Sequence, residues 1–135
     1  MRKKTPKQLQ DKLWKVLREI AEIIYKPICY TCGKTGLTGS NKQLSHLWPK
    51  ASLSAHLKYD LRVLRWTCFH CNINLGGNGA VFYAKLLKEI GAKEMEKLVK
   101  EKQILVKADT LFYQKKLDEA VAQLKQVILQ QRKKG

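Results

Sequence analysis

The first hydrophobic pattern along the chain is a stripe. Leu9, Leu13, Val16, Leu17, Ile20 and Ile24 recur at three- and four-residue intervals, the period of one helix face. Thr5, Pro6 and Gln8 stand ahead of it with the spacing of a capping box and a proline at the first helical position. Lys26-Pro27 closes it, because a residue before proline is driven out of the helical region. The pattern therefore predicts an amphipathic helix over residues 1–27.

From Ile28 to Leu75 the periodicity breaks into short segments punctuated by Gly33, Gly36, Gly39, Ser40 and Asn41. Within this region QLSHLW and LRVLRWTC read as short strands, separated by a loop that contains Pro49 and serines. Trp48 and Trp66 read as core residues of a thin β-layer, since aromatics carry large buried area.

After GGNG, residues Ala80 to Ile90 predict a helix that buries Phe82, Tyr83, Leu86, Leu87 and Ile90, with Gly91 at the place of a C-cap glycine. Asn78 is placed to cap it. A further helix turns Met95, Leu98 and Val99 inward and Lys93, Lys97 and Lys100 outward. The last runs from about Asp109 to Gln131, with Leu117, Ala120, Leu124 and Val127 alternating by three and four, as in a coiled-coil seam. So short a seam leaves two readings open: packing on the first helix, or a homodimer through the C-terminal helix.

The expected fold class is thus α+β and mostly helical. An N-terminal helix (1–27), a cysteine-bearing core (28–91) and a C-terminal helical extension (92–135) would form a single compact unit, as suits 135 residues.

Composition narrows the partners. About 44% of residues are apolar, yet no run approaches the roughly 20 needed to cross a membrane, so a protein with no membrane partner is expected. The basic start lacks the apolar region and cleavage site of a secretory signal, which predicts a cytoplasmic location and reduced cysteines. Lys and Arg number 27 against 11 Asp and Glu, a net charge of +16, far more than solubility requires. An anionic partner follows, and together with the cysteine pattern nucleic acid is favoured over a membrane surface.

Cys29-x-x-Cys32 and Cys68-x-x-Cys71 offer two pairs of thiolates, and each pair can fill two corners of a tetrahedron. A thioredoxin-like redox pair would need one such motif opening a helix in a βαβ unit, which this pattern does not offer. Structural Zn2+ is the expected occupant, and four cysteines leave no open position on it for substrate. The 35 residues between Cys32 and Cys68 leave room for a hairpin between a first knuckle and a helix that begins at the second pair.

Knuckle, hairpin and helix in that order describe a treble clef. With CYTCG, SHLWPKAS, LKYD, CFHCN, Gly77-Asn78 and FYAKLLKEIG in place, residues 28–92 resemble the HNH endonuclease group and, more closely, the lambda NinG (Rap) recombination-endonuclease family of phages. The resemblance implies a zinc-stabilised, HNH-like ββα core and a metal-dependent DNA endonuclease of phage recombination, acting on branched DNA such as a Holliday junction or D-loop. It implies that His46 is the general base and that Asn72 is a ligand of a catalytic Mg2+ or Mn2+ ion. Asp60, the carboxylate between the cysteine pairs, is a candidate for the same metal or its water. Lys50, Arg62, Arg65, Lys93, Lys97 and Lys100 are the candidate nucleic-acid contacts. His56 and His70 read as surface or phosphate-contacting residues.

Ser45 stands where many HNH sites carry an aspartate, Val63 where they carry a middle asparagine, and Leu75 where they carry a lysine. Ser45 and Val63 suit an alternative, a zinc-stabilised DNA-binding module that does not cut. Charge alone would also suit an RNA- or ribosome-associated zinc-knuckle protein.

Overall fold

The computed structural model describes residues 4–134; residues 1–3, which belong to the first expected segment, and residue 135 lie outside that range. The chain forms two compact units. One joins the N-terminal residues up to Lys26 to those from Lys107 onward, and the other runs from Pro27 to Val106. The expected boundary at residue 92 is not where the chain divides: residues 92–106 belong with the cysteine-bearing unit.

In the first unit, α1 (Pro6–Ile24) starts as its capping residues dictate. The Thr5 hydroxyl accepts from the Gln8 amide at 3.2 Å, and the Gln8 side chain accepts from the Thr5 amide at 2.9 Å. It ends where Tyr25 turns extended ahead of Pro27. Leu9, Leu13, Leu17, Ile20 and Ala21 are buried, while Ile24, at the end of the expected stripe, is exposed. The helix α5 (Thr110–Lys134) packs along α1 with Tyr113, Leu117 and Ala120 inward. The seam read from the sequence is therefore a surface for α1 within one chain. Leu124 and Val127, further along it, are half-buried.

The second unit holds a two-stranded antiparallel sheet, β1 (Gln43–His46) and β2 (Leu64–Thr67), in the register Gln43↔Thr67, Leu44↔Trp66, Ser45↔Arg65 and His46↔Leu64. Both strands lie within the segments QLSHLW and LRVLRWTC that read as strands. The connection between them is more built than a loop: it carries a 3-10 turn at Lys50–Ser52, the single-turn helix α2 (Ala55–Lys58) and a second 3-10 turn at Leu61–Val63. Two short strands are marginal alone, so the sheet depends on its surroundings. Leu47, Leu53, Leu57 and Val63 from the connection pack with Phe82 and Leu86 of α3 (Gly79–Ile90) and Met95 and Leu98 of α4 (Ala92–Glu101). Leu87 and Val99, expected inside, are exposed, because two short helices meeting at Gly91 share a narrower apolar face than the sequence allowed. Gly91, at φ +88°, ends α3 with its amide on the Leu87 carbonyl and opens α4, a conformation L side chains resist.

Candidate metal centre and the histidine beside it

Each cysteine pair sits in a tight knuckle. In the first, the Cys29 amide reaches the Lys34 carbonyl at 2.8 Å, the Gly33 amide returns to the Cys29 carbonyl at 2.9 Å, and the Cys32 amide points at the Cys29 sulfur at 3.5 Å. Gly33, at φ +82°, lets the chain reverse there. The second repeats the amide-to-sulfur contact from Cys71 to Cys68, also at 3.5 Å, and continues into a π-helical turn over His70–Asn74. The expected helix thus starts at the second pair as one wide turn, and the regular helix begins only at Gly79.

The sheet brings the knuckles together. The Tyr30 amide bonds to the Trp66 carbonyl at 2.9 Å, and Cys68 follows the last residue of β2. As a result the sulfurs of Cys29, Cys32, Cys68 and Cys71 all lie within 4.8 Å of one another, with Cys32 and Cys68 at 3.7 Å. Zinc–sulfur bonds of ~2.3 Å in a tetrahedron place sulfurs about 3.8 Å apart, so this cluster has the dimensions of a four-thiolate metal site. Three of the four are buried and Cys32 is exposed.

Electrostatics point the same way. Burial by itself raises the Cys29 thiol, but the Thr31 hydroxyl 3.3 Å away and nearby amides bring it down to about 6. At Cys32 the Lys34 amide pulls downward, yet burial and the three other sulfurs carry the thiol up to about 12. Cys71 is raised too, first by burial. Sulfurs this close ionise together only when a cation balances them. Thr31, itself buried, and Asn78, whose amide points at the Cys71 sulfur from 3.9 Å, complete the surroundings. The sequence reading missed both roles. Asn78 does occupy the cap position of α3, in the left-handed region at φ +51°, but its side chain makes no cap bond and turns to the sulfur.

His46 ends β1. Its Nε2 lies 2.8 Å from the backbone carbonyl of Lys58, at the end of α2. A carbonyl only accepts, so Nε2 carries the proton and the lone pair resides on Nδ1. Burial, then the charges of Lys50 and Lys58, lower the imidazole pKa below 6.5 against the opposing carbonyl bond. The ring is therefore neutral at pH 7, with a fixed tautomer.

The residues expected to accompany it are engaged elsewhere. Asn72 donates its amide to the Gln43 side chain at 2.5 Å. Gln43 and His46 are three apart on one strand and project from opposite faces of the sheet, so Asn72 is not brought to His46. The Asp60 carboxylate caps the turn at Leu61–Val63 through the Arg62 amide and grips the Arg62 guanidinium at 2.7 to 3.2 Å. The Asn72 bond engages its amide nitrogen, and both oxygens of Asp60 are held by Arg62. Ser45 is buried and hydrogen-bonded to Thr67, and Val63 is fully buried in the core.

The candidate nucleic-acid contacts divide. Arg65 is 7% exposed, stacked on Tyr30, paired with Glu89 at 2.6 Å and bonded to the Leu61 and Leu64 carbonyls. It is a core cation, which the sequence could not distinguish from a surface one. Arg62 bridges Asp60 and Glu101, and Glu101 also takes a bond from His56 at 2.9 Å. These bonds raise the Arg62 pKa and hold the Glu101 carboxyl at about 2. Lys50 and Lys93 are exposed. Lys97 and Lys100, also exposed, make surface pairs with Glu94 and Glu96. His70 is exposed and bonds to Asn74, four residues on. Trp66 is buried as expected, whereas Trp48 is half-buried beneath the Lys102 ammonium.

Among the described residues no helix is long and apolar enough to cross a membrane. No family model matches this chain, and no curated protein or solved structure matches it either.

Proposed function

We propose that the protein is a zinc-stabilised DNA endonuclease of the kind its sequence resembles, with His46 as general base. The carrying observation is the bond from His46 to the Lys58 carbonyl, which fixes one tautomer of an imidazole already kept neutral by its surroundings. A base held ready in this way suits proton abstraction at neutral pH. Water loses a proton to the ring nitrogen across from the one fixed to Lys58, its oxygen bonds to phosphorus, and the opposite phosphorus–oxygen bond breaks, the leaving oxygen taking a proton from solvent.

The zinc reading rests on the four sulfurs and their spacing, and the treble clef on the order of knuckle, strands and helix. Zinc here would hold the knuckles against the sheet. Asn72 and Asp60 are engaged with Gln43 and Arg62 rather than gathered at His46, so no step is assigned to a catalytic Mg2+ or Mn2+. That same observation favours a second reading, a DNA-binding module that does not cut. Net charge of +16 supports either.

The deciding experiment incubates zinc-loaded protein with labelled linear, flapped and four-way DNAs, with and without Mg2+ or Mn2+. Cleavage that is lost in His46→Ala supports the endonuclease. Binding without cleavage on every substrate assigns the protein to the second reading.

A further inference from the structure

The second knuckle turns large apolar side chains into water. Phe69 is 45% exposed, Ile73 54% and Leu75 49%, all within the seven residues that leave Cys68. Three such side chains in one turn set them apart from apolar residues exposed singly, and the backbone bonds of the turn hold them out. Cys68 and Cys71 tie the start of the turn to the sulfur cluster, and the Phe69 amide is fixed to the Asn41 side chain at 2.8 Å. The amides of Leu75 and Gly77 return to the carbonyls of His70 and Cys71 at 3.0 and 2.9 Å. Gly76 and Gly77, at φ +59° and +95°, let the chain double back after the apolar residues have been displayed. The display is set by hydrogen bonds within the turn and to Asn41.

What covers it is indicated by charge and by size. Between Glu22 and Glu89 the chain has one carboxylate side chain, Asp60, and that one is held by Arg62. Lys34, which is exposed, belongs to the neighbouring knuckle through its carbonyl bond to the Cys29 amide, while the Lys42 ammonium lies over the Trp66 ring, 4.8 Å from its centre. The apolar turn thus belongs to a stretch of chain rich in cations and nearly free of carboxylates, with Lys34 on the adjoining knuckle. Its three half-exposed side chains offer on the order of 200–300 Å2, well short of the ~800 Å2 per partner of a stable protein pair. An aromatic ring with two aliphatic neighbours is, however, the size of one or two nucleobases, and base faces stack on such surfaces without regard to sequence.

We propose that the second knuckle is a base-stacking wedge: Phe69, with Ile73 and Leu75 in the same turn, takes up unpaired bases of DNA while Lys34 meets an adjoining phosphate. This deepens the DNA reading above and rests on it. It adds a reason for preference between DNA forms, because duplex hides its base faces and an open or branched site exposes them.

The experiment uses the zinc-loaded full chain and two DNAs carrying 2-aminopurine, one in a single-stranded stretch beside a branch and one inside plain duplex. Wild type should change the fluorescence of the unpaired probe and bind that DNA more tightly. Phe69→Ala should lose the fluorescence change and bind the unpaired form about tenfold more weakly, the scale of one lost stack, with duplex affinity and zinc content unchanged. Phe69→Trp should keep the affinity and report contact through its own quenching. If wild type and Phe69→Ala bind the unpaired DNA alike with the same probe response, the wedge is wrong and the DNA reading stands. If wild type binds neither DNA, both fall. A dimer in sedimentation that Phe69→Ala converts to monomer would instead make the tip a protein contact and overturn the proposal.

Discussion

The imidazole of His46 and the main-chain carbonyl of Lys58 are joined by a 2.8 Å hydrogen bond across twelve residues of sequence. Everything between them, two 3-10 or helical turns and the buried Leu53 and Leu57, fixes where that carbonyl sits. The strand supplies the ring and the connection supplies its orientation.

His46→Ala should therefore leave the sulfur cluster and DNA binding intact and lower cleavage by ~100-fold or more, the scale of removing a general base. Because burial lowers the pKa of His46, the wild-type rate should be flat at neutral pH and fall only on the acid side, below about 6.5. The sign for stability is the same. The unfolded histidine binds its proton more readily than the folded one, so this contribution is complete above pH 6.5 and is lost as pH falls below it. A pH–rate profile together with denaturant melts at pH 5 and 7.5 checks both; a rate equal to wild type in His46→Ala defeats the assignment.

Cys29→Ser or Cys68→Ser should release the metal and unfold the unit from Pro27 to Val106. Metal binding in small zinc domains supplies folding free energy on the order of 10 kcal/mol, and both knuckles are tied to the sheet, the first through the Tyr30 amide on the Trp66 carbonyl and the second through Cys68 next to β2. The checks are metal content and melting with and without a chelator. Wild type that is folded yet carries no metal, with a melt indifferent to chelation, would count against the site.

The parts of this arrangement that were legible in the sequence are those that local pattern fixes. Thr5 and Gln8 cap α1 because their spacing is a property of one helical turn, and β1 and β2 fall within QLSHLW and LRVLRWTC because apolar and aromatic content is equally local. The four cysteines could be assembled on paper because each pair is held by its own knuckle. What escaped was long-range. Arg65 reads as a surface cation until Glu89, twenty-four residues away, and Tyr30 close over it. Asp60 reads as a spare carboxylate until Arg62 wraps it. The residues 92–106 read as tail, since nothing local says that Met95 and Leu98 share a core with Leu47 and Val63. Bond partners for charged groups are set by the closed fold, and periodicity is silent about them.

Glu101 is the one carboxylate that gathers Arg62 and His56 together, and its pKa of about 2 lies below the usual 4.5 because those two donors favour its charged form, Arg62 first. A depressed carboxylate contributes stability that is present above its unfolded pKa and is lost as pH falls towards 2. Arg62 is partly in water, so screening reduces the contribution to about 1 kcal/mol. Glu101→Gln should cost about that much at pH 7, and Arg62→Met should remove part of the same interaction from its other end. Urea melts at pH 7 of the two single variants and the double should show the double losing less than the sum of the two; fully additive losses would assign the effect to packing.

Lys93, Lys97 and Lys100 share one outward face of α4, at spacings of four and three. Replacing all three with alanine should reduce the slope of log affinity against log salt by about 0.9 for each lysine that meets a duplex phosphate, and should leave metal content alone. Titrations from 50 to 200 mM salt, roughly the range over which such contacts are read, make the comparison. An unchanged slope means the face is solvated and the anionic partner lies elsewhere.

Asn72 separates the two functional readings. As a ligand of a catalytic ion, its loss would abolish cutting and be partly restored by more Mg2+ or by Mn2+, since a weakened site answers to mass action. In the structure its amide instead ties the second knuckle to Gln43, on the face of the sheet away from His46. Removing that bond should cost about 1 kcal/mol of stability and leave the rate of cutting near wild type, whatever the concentration of Mg2+. Gln43→Ala removes the same bond from its other end, so it should reproduce the stability loss, and the double variant should lose little more. Melting curves of the three variants and cleavage rates across a Mg2+ titration give the answer. Cleavage lost in Asn72→Ala and recovered by added ion, with Gln43→Ala unaffected, would place the amide on a metal after all and require the second knuckle to move towards His46 when DNA binds.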